Sequence, residues 1–186
     1  MKKILCFLLV VFLLPLNIKA EPIDIAQNAK SALLMEMSSN KIIYEKNSHE
    51  RLAPASMTKI MSMLLIIEAI DNKNLTWNEK IKVSANASGM GGSQIFLETN
   101  EEMTVEDLFK GIAVASANDA TVALAERIGG TEESFVAMMN KRAKKLGIKD
   151  TLFKNSTGLD EQDHFSTAYD IAVIAKELIK HEQVLK

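Results

Sequence analysis

The stretch that most constrains this chain runs from residue 53 to residue 70, "APASMTKIMSMLLIIEAI". It predicts a helix over roughly 56–71 that is apolar nearly all round, and such a helix belongs in the middle of a domain. Lys59 is its only ionisable side chain before Glu68. A cation in the first turn opposes the helix macrodipole, at a cost of a few tenths to about 1 kcal/mol. A local rule broken without visible gain tends to mark a functional site.

Ser56 lies three residues before Lys59, so the two share a face of a helix. A serine hydroxyl needs a base to become a nucleophile, and a lysine serves when burial lowers its pKa enough to leave it neutral. The helix end would also lend backbone N–H groups to a developing oxyanion. The plainer reading is an ordinary N-cap at Ser56 and a Lys59 that snorkels to solvent. The S-x-x-K spacing also recurs at Ser38–Lys41, where a solvated turn is expected.

The rest of the chain frames this helix. Residues 31–37 and 41–46, "SALLMEM" and "KIIYEK", flank a polar "SSN" and read as a β-hairpin. A strand or loop rich in glycine, "KIKVSANASGMGGSQIFLE", follows the helix. Thr104 and Asp107 form a capping-box pattern before Leu108, Ile112 and Ala115. Asn118 or Asp119 is placed to cap a second helix, with Val122, Ala125 and Ile128 inward and Gly129-Gly130 as its end. Thr131 opens a third, with Phe135, Met138, Met139 and Leu146 inward and Gly147 as the stop. After the long loop "DTLFKNSTGLDEQDHFS", Thr167 and Asp170 cap a last helix that turns Ile171, Ile174 and Leu178 inward. Two strands followed by a block of helices give an α+β fold, and two strands alone make a poor sheet.

The N-terminus reads as an export signal. "MKK" is a positive start, Ile4–Leu16 is an apolar core too short to span a bilayer, and "NIKA" ends in a small residue. Cleavage is expected after Ala20, making 1–20 a signal peptide and 21–186 the mature part, with an uncleaved anchor as the alternative. The only cysteine, Cys6, lies inside that signal, which leaves the mature chain no disulfide and no thiolate. His49, His164 and His181 are scattered and form no H-x-x-x-H pair, so no metal and no cofactor is expected. The net charge is −2, and basic pairs such as Lys144-Lys145 are interleaved with acids, which gives no footprint for nucleic acid.

S-x-x-K is the first of the motifs S-x-x-K, S-x-N and K-T-G that the penicillin-recognising serine enzymes share. The second occurs as Ser38–Asn40, Ser84–Asn86 and Ser116–Asn118. The Ser116 copy falls at a break between two predicted helices, where it either projects into a cleft or merely breaks and recaps a helix. Four blocks in order, "LAPASMTKIMSMLL", "GGSQIFL", "ASANDATVALAERIGGTEESFVAMMNKRAKKLG" and "FKNSTGLDEQDHFSTAYDIA", resemble the serine-type D-alanyl-D-alanine carboxypeptidases, the low-molecular-mass penicillin-binding proteins. The resemblance runs from about Lys30 onward and implies the β-lactamase and transpeptidase-like fold. It implies Ser56 as nucleophile, Lys59 as base, Ser116 as proton relay and Asn118 as the side chain orienting Lys59 and the substrate amide. The implied partners are a peptidoglycan stem peptide ending in D-Ala-D-Ala and β-lactam antibiotics, met in the periplasm or at the outer face of the cytoplasmic membrane. "GGSQIFL" and "NSTGLD" look like family sequences near the site and receive no chemical role.

One element departs from the pattern. K-T-G is absent, and Ser156–Gly158, "STG", lacks the lysine. The expectation is an N-terminal part of a catalytic domain, inactive alone, with the K-T-G strand, its neighbours and any membrane-anchoring segment further downstream. Rival activities on the same fold are a D,D-endopeptidase and a β-lactamase, the latter weakened by the lack of an E-x-x-L-N segment. A non-catalytic penicillin sensor or wall-binding module is the rival from another class.

Overall fold

Helix α1, Lys59–Asp71, forms the axis of the molecule, and Met61, Leu64, Ile66 and Ile67 on it are fully buried. The computed structural model describes residues 24–185, so the expected signal peptide, 1–20, lies outside the described residues. A hairpin precedes α1: β1, Ala32–Met35, pairs antiparallel with β2, Ile42–Lys46, with an irregularity between Leu34 and Met35. Its polar turn is solvated as expected, and Ser38 there bonds the Glu36 carboxylate.

The expected single helix from 56 begins instead with a 3-10 turn, Ala55–Thr58, that runs into α1. After α1 comes a second small sheet that the sequence reading did not contain. Strand β3, Lys80–Lys82, pairs antiparallel with β4, Glu102–Thr104, and the short helix α2, Ala85–Ser88, lies between them in sequence. At three residues each, these strands are too short to show a period.

The remaining helices are α3, Val105–Ala115; α4, Asn118–Gly129; α5, Glu132–Lys145; and α6, Ala168–Leu178. Thr104, Thr131 and Thr167 each cap a helix by accepting from the backbone N–H three residues on. Helix α1 packs against α3, α4, α5 and α6, and β1 lies on α6. Arg142 on α5 ties two of these to itself, with salt bridges of 2.6 Å to Glu68 on α1 and 2.9 Å to Glu177 on α6. Four residues expected inward are not buried: Ala115 and Met138 are exposed, and Ile128 and Leu146 are only half-buried. Ala115 ends its helix, where the apolar stripe has run past its neighbours. No helix among the described residues is long and apolar enough to cross a membrane.

Candidate active site

Ser56 is exposed on the 3-10 turn, while Lys59, one turn further, is only 3% exposed. Lys59 Nζ lies 3.2 Å from Ser56 Oγ and donates to the Thr157 carbonyl oxygen at 2.8 Å. Burial lowers the Lys59 pKa to about 8. A neutral amine keeps two N–H donors and one lone pair. The Thr157 carbonyl occupies one donor, which leaves the lone pair free to face the serine hydroxyl. The backbone is strained where the serine enters, since Ala55 has φ 46°. Such a left-handed non-glycine residue costs roughly 1–2 kcal/mol.

The Thr157 carbonyl belongs to a loop pinned from three sides. Ser62 Oγ on α1 donates to the Ser156 carbonyl at 2.7 Å. Ser156 in turn gives its N–H and its hydroxyl to Glu132 Oε1 on α5, at 2.9 and 2.7 Å. Asn155 Oδ1 accepts from Gly158 N at 2.7 Å, closing a local turn. Sequence reasoning missed this contribution because it is made by backbone 98 residues from the lysine. The only signal was "NSTGLD" itself, a loop whose glycine follows a pair of hydroxyl residues.

Ser116 caps the end of α3 in the left-handed region, φ 56°, and its Oγ is buried without a hydrogen-bond partner among the described residues. Asn118 is the first residue of α4 and does not act as its side-chain cap, and neither does Asp119. Instead Asn118 Nδ2 donates to the Gly91 carbonyl at 2.6 Å, and its backbone N–H donates to the Ser93 carbonyl at 2.7 Å. No hydrogen bond joins Asn118 to Lys59 among the described residues. A Cβ on Gly92 would stand 2.7 Å from Asn118 Nδ2, so the "GGSQIFL" segment fits closely around this amide. Asp119, 1% exposed, anchors the same segment by accepting from Ile95 N at 3.2 Å and Leu97 N at 3.0 Å. The sequence offered Asp119 only as an alternative helix cap, and this anchoring was not legible in it.

The other copies of the tripeptide take structural places. Ser84 caps α2 through Ala87 N, and Asn86 bonds Glu126. Among the described residues, no three His, Cys, Asp or Glu side chains gather in a way that would hold a metal ion. The arrangement is therefore an exposed hydroxyl, a buried low-pKa amine beside it, a second hydroxyl with no partner, and an amide fixed by the backbone.

Comparison with known proteins identifies the family. The family model described as D-alanyl-D-alanine carboxypeptidase matches residues 17–186. The chain is 59% identical over 163 residues to D-alanyl-D-alanine carboxypeptidase DacF of Bacillus subtilis, covering 88% of this chain and 42% of that one. In structure it is similar to D-alanyl-D-alanine carboxypeptidase DacD from Francisella tularensis, with TM-score 0.82 and 39% identity over 86% of this chain and 39% of that one. It is similar also to penicillin-binding protein D2 from Listeria monocytogenes in its ampicillin-bound form, with TM-score 0.75 and 31% identity over 84% of this chain and 64% of that one. The chain thus spans about two fifths of the length of the curated relatives it matches. With the α+β penicillin-binding-protein fold, and with a family model matched along nearly all of its length, the chain belongs to the D-alanyl-D-alanine carboxypeptidase family.

Proposed function

We propose that Ser56 is the nucleophile of a serine-type carboxypeptidase that removes the terminal D-alanine from a peptidoglycan stem peptide. The observation that carries this reading is the buried Lys59 amine, 3.2 Å from Ser56 Oγ and with a pKa lowered to about 8. Neutral Lys59 takes the hydroxyl proton as Ser56 Oγ adds to the carbonyl carbon of the penultimate D-alanine. The carbonyl electrons move onto its oxygen, and the Ser56 backbone N–H, which has no acceptor among the described residues, is available to that oxyanion. Collapse breaks the C–N bond. The proton held on Lys59 passes to the leaving D-alanine nitrogen, with the Ser116 hydroxyl, free of any other partner, as the relay. Water then attacks the Ser56 ester while Lys59 accepts its proton, and the proton returns to Ser56 Oγ. Asn118, held by Gly91, is the polar group offered to the substrate amide.

A β-lactam would acylate the same serine because its ring amide presents a strained equivalent of the D-Ala-D-Ala bond. The ampicillin-bound relative supports this reading. A substrate in the cell wall requires export, which the sequence of residues 1–20 supports as a signal peptide.

The test uses the whole protein, with labelling by a fluorescent penicillin and D-alanine release from a peptide ending in D-Ala-D-Ala. Ser56→Ala is expected to abolish both. Lys59→Ala is expected to slow acylation by about 10²–10⁴-fold. Labelling retained in Ser56→Ala would remove the reading, and labelling without D-alanine release would favour a sensor.

A further inference from the structure

Thr58 stands between nucleophile and base in the chain, fully buried, and its Oγ1 lies 2.9 Å from His164 Nε2. On the other side of the ring, Lys154 N–H meets His164 Nδ1 at 3.4 Å. A backbone N–H only donates, so Nδ1 must carry the lone pair and the neutral ring holds its proton on Nε2. Nε2–H then donates to Thr58 Oγ1. The imidazole therefore joins two pieces of backbone that are distant in sequence. One is the turn that presents Ser56, and the other is the segment whose Thr157 carbonyl orients Lys59. The Phe153 ring, edge-on at 6.0 Å, packs against the imidazole.

We propose that His164 is a positioning residue for the Ser56–Lys59 pair, and that it serves only as the neutral imidazole, bridging Thr58 and Lys154. The inference rests on the reading of Ser56 and Lys59 as nucleophile and base. Protonation would put an N–H on Nδ1 facing the Lys154 N–H, donor against donor in a buried place, and such an unsatisfied pair is costly. The bridge would open and the Thr157 carbonyl would lose its fixed distance to Lys59.

The charges around the ring divide. Lys59 and Lys154 lie on the segments that adjoin the ring and Asp163 precedes it in the chain, while the carboxylates of Glu161 and Asp160 favour a cation there. Burial outweighs the carboxylates and holds the His164 pKa below the usual histidine value. The ring is 6% exposed and borders a cavity of about 250 Å³ shared with Pro54, Ala55, Gly158 and Leu159, which gives protons a route to it.

The experiment follows acylation of the whole protein by a fluorescent penicillin as pH falls from about 9 to about 4.5, across the ordinary ranges of both groups. Below about 8 the wild-type rate is expected to fall in proportion to hydroxide as Lys59 protonates. It is expected to steepen to the second power once His164 protonates as well. His164→Ala is expected to acylate about 10²-fold more slowly at alkaline pH, the scale on which a small misplacement acts. His164→Gln sets an amide nitrogen at the Nε2 position without a titrating group. It should recover roughly tenfold of the rate lost in His164→Ala and show a single slope with no steepening.

Steepening that persists in His164→Gln, no steepening in the wild type, or a wild-type rate in His164→Ala would each overturn the proposal. If His164→Ala does not fold, the profiles of the wild type and His164→Gln decide. Failure of the underlying reading looks different: the limb near 8 would be missing from every variant, or labelling would survive Ser56→Ala.

Discussion

Gly158 meets Ala55 backbone to backbone: a Cβ placed on Gly158 would stand 1.8 Å from the Ala55 carbonyl oxygen. The loop that supplies the Thr157 carbonyl and the turn that presents Ser56 are thus in contact with no side chain between them. This closeness lets two segments about a hundred residues apart hold Lys59 Nζ at 2.8 Å from one and 3.2 Å from the other.

Gly158→Ala is therefore expected to force that contact apart. Its φ of 86° adds strain for any L side chain, so destabilisation of at least about 2 kcal/mol is expected, with acylation slowed by about 10²-fold or more. Gly130→Ala is the control, because its φ is 81° but nothing lies within 4 Å of its Cβ. It should lose only the backbone term, roughly 1–2 kcal/mol, and keep its acylation rate. Urea denaturation and penicillin labelling of the two variants separate steric contact from backbone strain, and equal losses in both would count against the contact.

The parts of this fold that were legible in the sequence are those set by neighbours in the chain. Thr104, Thr131 and Thr167 announce their helices because a cap reaches only three residues. Ser56 and Lys59 announce themselves because their spacing is one helical turn. The 3-10 form of that first turn was not legible; Lys80–Lys82 stood open between strand and loop, and its three-residue partner β4 was not seen. The contacts that complete the site were hidden for another reason: Thr157 acts through its carbonyl, and Asn118 is held by the carbonyl of Gly91. Backbone groups are the same in every residue, so no side-chain pattern points to them. The side chain expected to orient Lys59, Asn118, donates to the Gly91 carbonyl, and no hydrogen bond joins it to Lys59 among the described residues.

Lys59 should leave its mark on stability as well as on rate. Its pKa is about 8 in the folded protein against an ordinary 10.5. Between those values the unfolded chain binds more protons, so stability rises with pH there, and the penalty for burying the charge is complete below about 8. Relative to Lys59→Met, the wild type is expected to gain on the order of 3 kcal/mol between pH 8 and 10.5. Denaturation of both proteins at several pH values measures the difference. A constant gap would mean that Lys59 keeps its ordinary pKa, which would also weaken it as the base.

Asp119 is expected to matter for the segment beside the site rather than for the chemistry. Its carboxylate accepts from the backbone N–H groups of Ile95, Leu97 and Ala120. Asp119→Ala strips those buried donors of their acceptor, at about 1–3 kcal/mol for each that stays unsatisfied. Hydrogen exchange should show the Ile95 and Leu97 amides losing protection first, with α6 unaffected. Uniform loss of protection over the whole chain would indicate a global effect instead.

Ser116 sets stability against activity. Its Oγ is buried with no partner among the described residues, and a buried unsatisfied hydroxyl is unfavourable by about 1–3 kcal/mol. Ser116→Ala removes that oxygen and leaves the backbone as it is, so the variant is expected to be more stable by about 1 kcal/mol. The same change deletes the proposed relay, and acylation should slow by about 10²-fold, the lower end of what a positioned proton-transfer group supplies. The apparent pKa near 8 should persist, because Lys59 keeps its burial and its bond to Thr157. Thermal melting, labelling rate and pH profile of this one variant test the three statements together. A variant both less stable and equally fast would mean that the hydroxyl is a structural group, and the relay role would have to be assigned elsewhere.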